Sequence, residues 1–247
     1  TKVVRELWSY CAKSVRHCNA ARWIRRRWSL LFRMRRKHIL HGFEILVPPY
    51  VLDYDHWTVR QAEEYLQWYV SHIPERAAYV YQLAGGKGQM EEPIDPECLL
   101  VVWRWFLKIA EIEPVPKAIL DAQREKFGKF GESFLTKEQF SVRTEYILRD
   151  IAMLISAVFT TNYPALYWNV IRKPKRDVNY LQPVLCGFVN TQFGKPFHDT
   201  FPPDHMVGVQ AAKCLDRTEK RATERDLLIV YRYWEQCVPD THVDGDK

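Results

Sequence analysis

A chain of 247 residues, 47% hydrophobic and 14% aromatic with only 10 glycines, can bury a sizeable core, which excludes a disordered or low-complexity protein. Its most apolar run, "IAMLISAVF" at 151–159, is about half the length a bilayer-crossing helix needs, and the charged start has no clean signal-peptide core. The net charge of +6 is unevenly placed: residues 1–40 carry +11 and the other 207 carry −5, so a basic arm is joined to a mildly acidic body.

Residues 1–42 form the arm. Val4, Trp8, Cys11, Val15 and Cys18 recur at three- and four-residue spacing, and Ile24, Trp28 and Leu31 extend the stripe. Arg25, Arg26, Arg27, Arg33, Arg35 and Arg36 surround it, and neither glycine nor proline occurs before Gly42, which predicts a long amphipathic helix. Its stretch 22–38 suits nucleic-acid phosphates, through salt-dependent and sequence-blind contacts, or an anionic membrane surface. Two plainer readings compete: a stripe docked on the body, or an extension ahead of a start at Met34, the first methionine.

"EILVPPYVLDYD", residues 44–55, reads as an extended linker because of its two prolines. "TVRQ" at 58–61 has the spacing of a capping box, and Val59, Ala62, Leu66, Tyr69, Val70 and Ile73 line one face of the helix that follows. Pro74 should interrupt that helix or start a second one through Tyr81. Asp95 and Pro96 are placed to cap a helix through "ECLLVVWRWFLKIAEI", and a further helix is predicted over 117–127. Thr136 is read as opening the most apolar helix, over roughly 137–160, whose Ile147, Ile151, Leu154, Ile155 and Val158 belong at the centre of the core. "ALYWNVIR" and "QPVLCGFV" read as two short strands around the basic turn "KPKRD", and helices over about 204–217 and 222–237 close the body. The pattern predicts a mainly α fold. One helical domain spans 43–240 with a small β hairpin or sheet in its second half, and residues 241–247 form a disordered tail.

No motif specifies catalysis, a cofactor or a metal. The six cysteines show no paired spacing and read as reduced thiols of a cytoplasmic protein. "LAGGKGQ" at 83–89 follows a helix and lacks a Ser or Thr after Lys87, so it reads as a connection rather than a phosphate-binding loop. "DYDHW" offers Asp53, Asp55 and His56 without the convergent donors that zinc or a hard cation needs. "HILH" sets His38 and His41 three apart with no acidic partner. "PFHDTFPPDH" pairs His198, Asp199, Asp204 and His205 without a nucleophile motif, and Asp204 suits a helix cap. "MEEPIDPE" gathers Glu91, Glu92, Asp95 and Glu97, a candidate contact surface for a basic partner.

Two long stretches carry a resemblance. "VLDYDHWTVRQAEEYLQWYVSHIPERAAYVYQL" and "TEYILRDIAMLISAVFTTNYPALYWNVIRKPKRDVNYLQPVLCGF" are similar to uncharacterised bacterial immunity-type proteins of polymorphic toxin systems. In those proteins an extended "DY" segment leads into a helix, and an arginine-flanked Asp precedes a basic turn and "QPVL.GF". The resemblance covers about 45–240. It departs at "MLISAVF", where that group has a Tyr-x-Gly-Glu-like segment. It implies a small cytosolic protein that neutralises a toxin or effector domain by binding it, with no catalytic residue carried over. On this reading the partner surface comprises Asp53, Asp55, Glu91, Glu92, Asp95 and Glu97. The alternatives are an adaptor acting through the basic arm, or an enzyme with no recognisable motif.

Overall fold

The computed structural model describes residues 38–88, 90–127, 137–191, 195–215 and 222–239. The helix expected in the arm, with its six arginines, lies outside these residues, as do Thr136 and residues 240–247. The described chain opens at the end of the expected arm with strands β1 (His38–Leu40) and β2 (Phe43–Ile45), paired antiparallel. Their two-residue turn is His41-Gly42, with φ of 50° and 79°. Positive φ at both positions matches the right-handed twist of a tight hairpin, and glycine adopts it without penalty.

Helix α1 (Val59–Leu83) starts at the predicted capping box: Thr58 Oγ1 accepts from Gln61 N and Gln61 Oε1 accepts from Thr58 N. Contrary to expectation it runs unbroken through Pro74. An interior proline costs a helix about 3 kcal/mol, and burial of Ala62, Tyr65, Tyr69, Ile73, Ala77 and Val80 on one face offsets that cost. Helix α2 (Glu97–Ile109) begins one residue later than expected: Pro96 is at the N-cap without a side-chain bond, and Asp95 Oδ1, just before it, accepts from Glu97 N at 3.0 Å. Strand β3 (Ile112–Pro114) follows, then α3 (Lys117–Phe127), then β4 (Glu138–Phe140), which pairs antiparallel with β3.

Helix α4 (Val142–Asn162) is the centre of the core, buried almost all round from Thr144 to Phe159. It starts later than expected because Glu138–Phe140 is strand, and Ser141 Oγ accepts from Thr144 N as its cap. Each of its fully buried aliphatic side chains contributes about 1.5–3 kcal/mol. Strands β5 (Tyr167–Val170), β6 (Pro183–Asn190) and β7 (Phe197–Phe201) form an antiparallel sheet in that order. The first two match the predicted pair. Helices α5 (Pro203–Ala212) and α6 (Asp226–Glu235) complete the described chain. Phe159 of α4, Phe188 and Phe201 of the sheet, and Tyr231 and Trp234 of α6 form one aromatic cluster with ring centroids 4.6–6.2 Å apart.

The expectation of a mainly α fold with a single late β element is overturned. The described residues are about 50% helix and 17% strand, with three small antiparallel sheets spread among them. Two of those sheets are built from strands of three residues, too short for an alternating pattern to rise above the neighbouring loops. β7 was missed because "PFHDTF" reads as a polar loop; its first residues, Phe197 and His198, are exposed.

A candidate partner-binding surface

Two polar networks flank α1. The inner one is sealed. Arg76 donates through Nε and Nη2 to Asp150 Oδ2 at 3.1 and 2.5 Å, and both residues are 2% exposed. Arg76 Nη2 also donates to the Glu44 carbonyl at 2.7 Å, and Glu44 N donates to Tyr79 Oη at 2.7 Å. The guanidinium lies 4.3 Å from the Tyr79 ring centroid, so one arginine ties α1, α4 and the first hairpin together. Burial pushes the Asp150 carboxyl up to about 6, against the downward pull of Arg76. Arg76 and the arginine-flanked Asp150 are thus both committed to packing.

Next to Asp150 on α4, Arg149 is buried with its guanidinium 5.2 Å from the Tyr146 ring centroid. Asp204 contributes charge beside it and accepts from Tyr69 Oη at 3.3 Å. Tyr65 lies in the same region, and its buried hydroxyl makes no hydrogen bond among the described residues. Asp204 is therefore not the cap expected of it: Pro202 occupies that position without a side-chain bond, and Asp204 sits in the first turn of α5 facing α1. His198 is exposed on β7, and Asp199 accepts from Thr200 N at 2.8 Å. Burial raises the Asp199 carboxyl.

The outer network faces water. Glu91, Glu92 and Asp95 are exposed on the segment joining α1 to α2, and Glu97 is exposed at the start of α2. That segment is pinned: Ile94 N donates to Asn162 Oδ1, and Asn162 Nδ2 donates to the Ile94 carbonyl, both at 2.9 Å. Ile94 is buried, and Cys98 beneath it is a packed thiol that burial pushes up to about 12. Four acidic residues within seven positions are thus presented from a pinned backbone. Glu91 and Glu92 form no ion pair among the described residues.

Behind this segment lies an open cleft of about 420 Å³. α1 supplies Ile73, Pro74, Ala77, Ala78, Tyr81 and Gln82; the connecting segment supplies Gly88, Met90, Glu92 and Ile94; α4 supplies Ala157, Thr160 and Thr161. Small side chains on the facing helices leave the space. The wall at Tyr81 is set by the end of α1, where Gly85 takes a φ of 87° and Gly86 N donates to the Tyr81 carbonyl at 2.9 Å. A Cβ on Gly86 would come within 2.5 Å of the Tyr81 ring. Nothing in "LAGGKGQ" or "MEEPID" signals a cleft, because it forms only when the connection folds back along α1.

The other expected surface residues lie elsewhere. Asp53 is half-buried, its Oδ2 2.8 Å from His56 Nδ1, and Asp55 falls within the 3-10 turn Tyr54–His56. That turn precedes α1, whereas Glu92 packs beside its last three turns, so most of a 25-residue helix separates the two acidic groups. At 1.5 Å per residue the gap is on the order of 25 Å. The six acidic residues do not form one patch.

Among the described residues no group of three or more His, Cys, Asp or Glu side chains converges as a metal site, and no helix is long and apolar enough to cross a membrane. Cys98, Cys186, Cys214 and Cys237 are free thiols, while Cys11 and Cys18 lie outside the described residues. Compared with protein-family models, with curated proteins and with solved structures, the chain matches none of them.

Proposed function

We propose that the chain is a cytoplasmic, immunity-type bacterial protein that binds a toxin or effector domain and neutralises it by direct contact. The observation that carries this reading is the segment 91–97, whose acidic side chains are exposed, with no ion pair for Glu91 or Glu92 among the described residues, and which is held by the Asn162–Ile94 hydrogen bonds. A charged surface that is already ordered binds without paying to order its backbone, and its field speeds encounter with a basic partner. The charge balance of −5 outside residues 1–40 supports the same direction.

The test is co-expression. Where a toxin gene adjoins the gene for this chain, expressing the toxin's C-terminal domain alone should arrest growth, and adding this chain should restore it with a complex recoverable by purification. The reading is overturned if no toxin gene adjoins it, or if toxicity is undiminished by the folded chain.

A further inference from the structure

We infer that the cleft between α1, α4 and the 84–96 segment is a socket for a lysine or arginine side chain of the partner, seated together with an apolar neighbour from the same partner segment. This deepens the proposed function and rests on it.

The cleft combines two features that suit such a side chain. Its floor and walls are apolar and small: Ile73 and Ala77 of α1, Met90 and Ile94 of the connection, and Ala157 of α4. Glu92 also lines it, exposed and without an ion pair among the described residues. Lys and Arg bury an aliphatic stem along apolar surface while keeping a charged head at the water boundary. An apolar trough ending in an unpaired carboxylate is the complement of that shape. A volume of about 420 Å³ exceeds one side chain, which is why the inferred occupant includes a neighbouring apolar residue.

Other polar groups at the cleft fit the assignment. Thr160 Oγ1 donates to the Ser156 carbonyl at 3.0 Å, and the other polar side chains lining the cleft are Tyr81, Gln82, Glu92 and Thr161. These can accept from an ammonium or guanidinium, and none carries positive charge. A carboxylate ligand would meet Glu92 and be repelled. The exposed basic turn Arg172, Lys173, Lys175 and Arg176 is on the β5–β6 connection, on residues that do not line the cleft.

The test uses the chain alone with n-hexylammonium as a side-chain mimic and n-hexanoate and n-hexanol as controls, followed by amide chemical shifts. Hexylammonium should perturb Ala77, Ala78, Thr160 and Thr161 and bind more tightly than either control. Glu92→Gln should weaken it about three-fold, the scale of an exposed ion pair. Ala78→Leu, at a half-buried position, should abolish binding by filling the cleft. Equal or tighter binding of hexanoate or hexanol overturns the inference, as do shifts elsewhere, no shifts at all, or an unchanged affinity in Glu92→Gln. These experiments involve no toxin, so failure here leaves the neutralisation test standing, and failure there leaves the ligand result to be read independently.

Discussion

The two charge clusters beside α1 carry opposite solutions to the same electrostatic problem. Arg76 and Asp150 are removed from water, and each is compensated by the other, with the Glu44 carbonyl as a further partner of Arg76. Glu91, Glu92, Asp95 and Glu97 keep their hydration, and Glu91 and Glu92 spend no charge on a partner within the described chain. A buried charge left alone costs several kcal/mol, so the inner cluster has to be satisfied internally and is tied to the fold. The outer cluster costs the fold little and is available to another molecule. Charge that holds the protein together and charge that can recognise something are thus separated to the two sides of one helix.

The largest way to break this contrast is Asp150→Ala, which leaves Arg76 buried and uncompensated. We expect a loss of about 3–5 kcal/mol of unfolding free energy, measured by urea denaturation at neutral pH. A loss below about 1 kcal/mol would show that the inner pair is not the lock described here.

A second effect is expected in pH dependence. Asp150 ionises near pH 6 in the fold, because burial disfavours the charge, and near pH 4 in the unfolded chain. A carboxyl whose pKa rises on folding contributes stability while protonated, fully below its unfolded pKa, and loses it as pH climbs through the folded value. Its contribution should therefore fall between about pH 4 and 6, by on the order of 2–3 kcal/mol, and level off above. Asp150→Asn should remove that component, so the difference between the two stability curves isolates it. A difference curve that runs the other way would contradict the assignment.

Asn162→Ala should act on the outer region without unfolding the inner one. Losing two hydrogen bonds to Ile94 should cost about 1–3 kcal/mol, and hydrogen exchange should accelerate at amides 91–95 while the α4 amides stay protected. Uniform acceleration throughout would mean that the acidic segment is not separately pinned. The smallest expected effect is for Glu91→Lys with Glu92→Lys, which should change unfolding free energy by no more than about 0.5 kcal/mol, since neither side chain is paired among the described residues.

Legibility in the sequence followed length and locality. The capping box at Thr58, helix α3 and the all-round burial of α4 are local signals, and each appears where the pattern predicts it; the start of α2 is displaced by one residue from Asp95 to Pro96. Pro74 misleads because tertiary packing of the α1 face outweighs a local penalty. The strand β1 was hidden in the arm's periodicity, and β3 with β4 joins segments on either side of α3 that share no turn signal. Arg76 and Asp150 lie 74 residues apart, so no spacing rule could pair them. The acidic segment was visible as composition, but its grouping with Asp53 and Asp55 failed because the length of α1 intervenes. The cleft was invisible for the same reason: it exists between α1, α4 and a connection, not within any of them.

The most direct test of the central claim is the dissociation constant between the Glu91→Lys, Glu92→Lys double variant and the effector domain that the wild-type chain neutralises. At least a ten-fold weakening is expected, equivalent to about 1.4 kcal/mol, in a protein whose unfolding free energy is unchanged. An affinity equal to that of the wild-type chain would contradict the account.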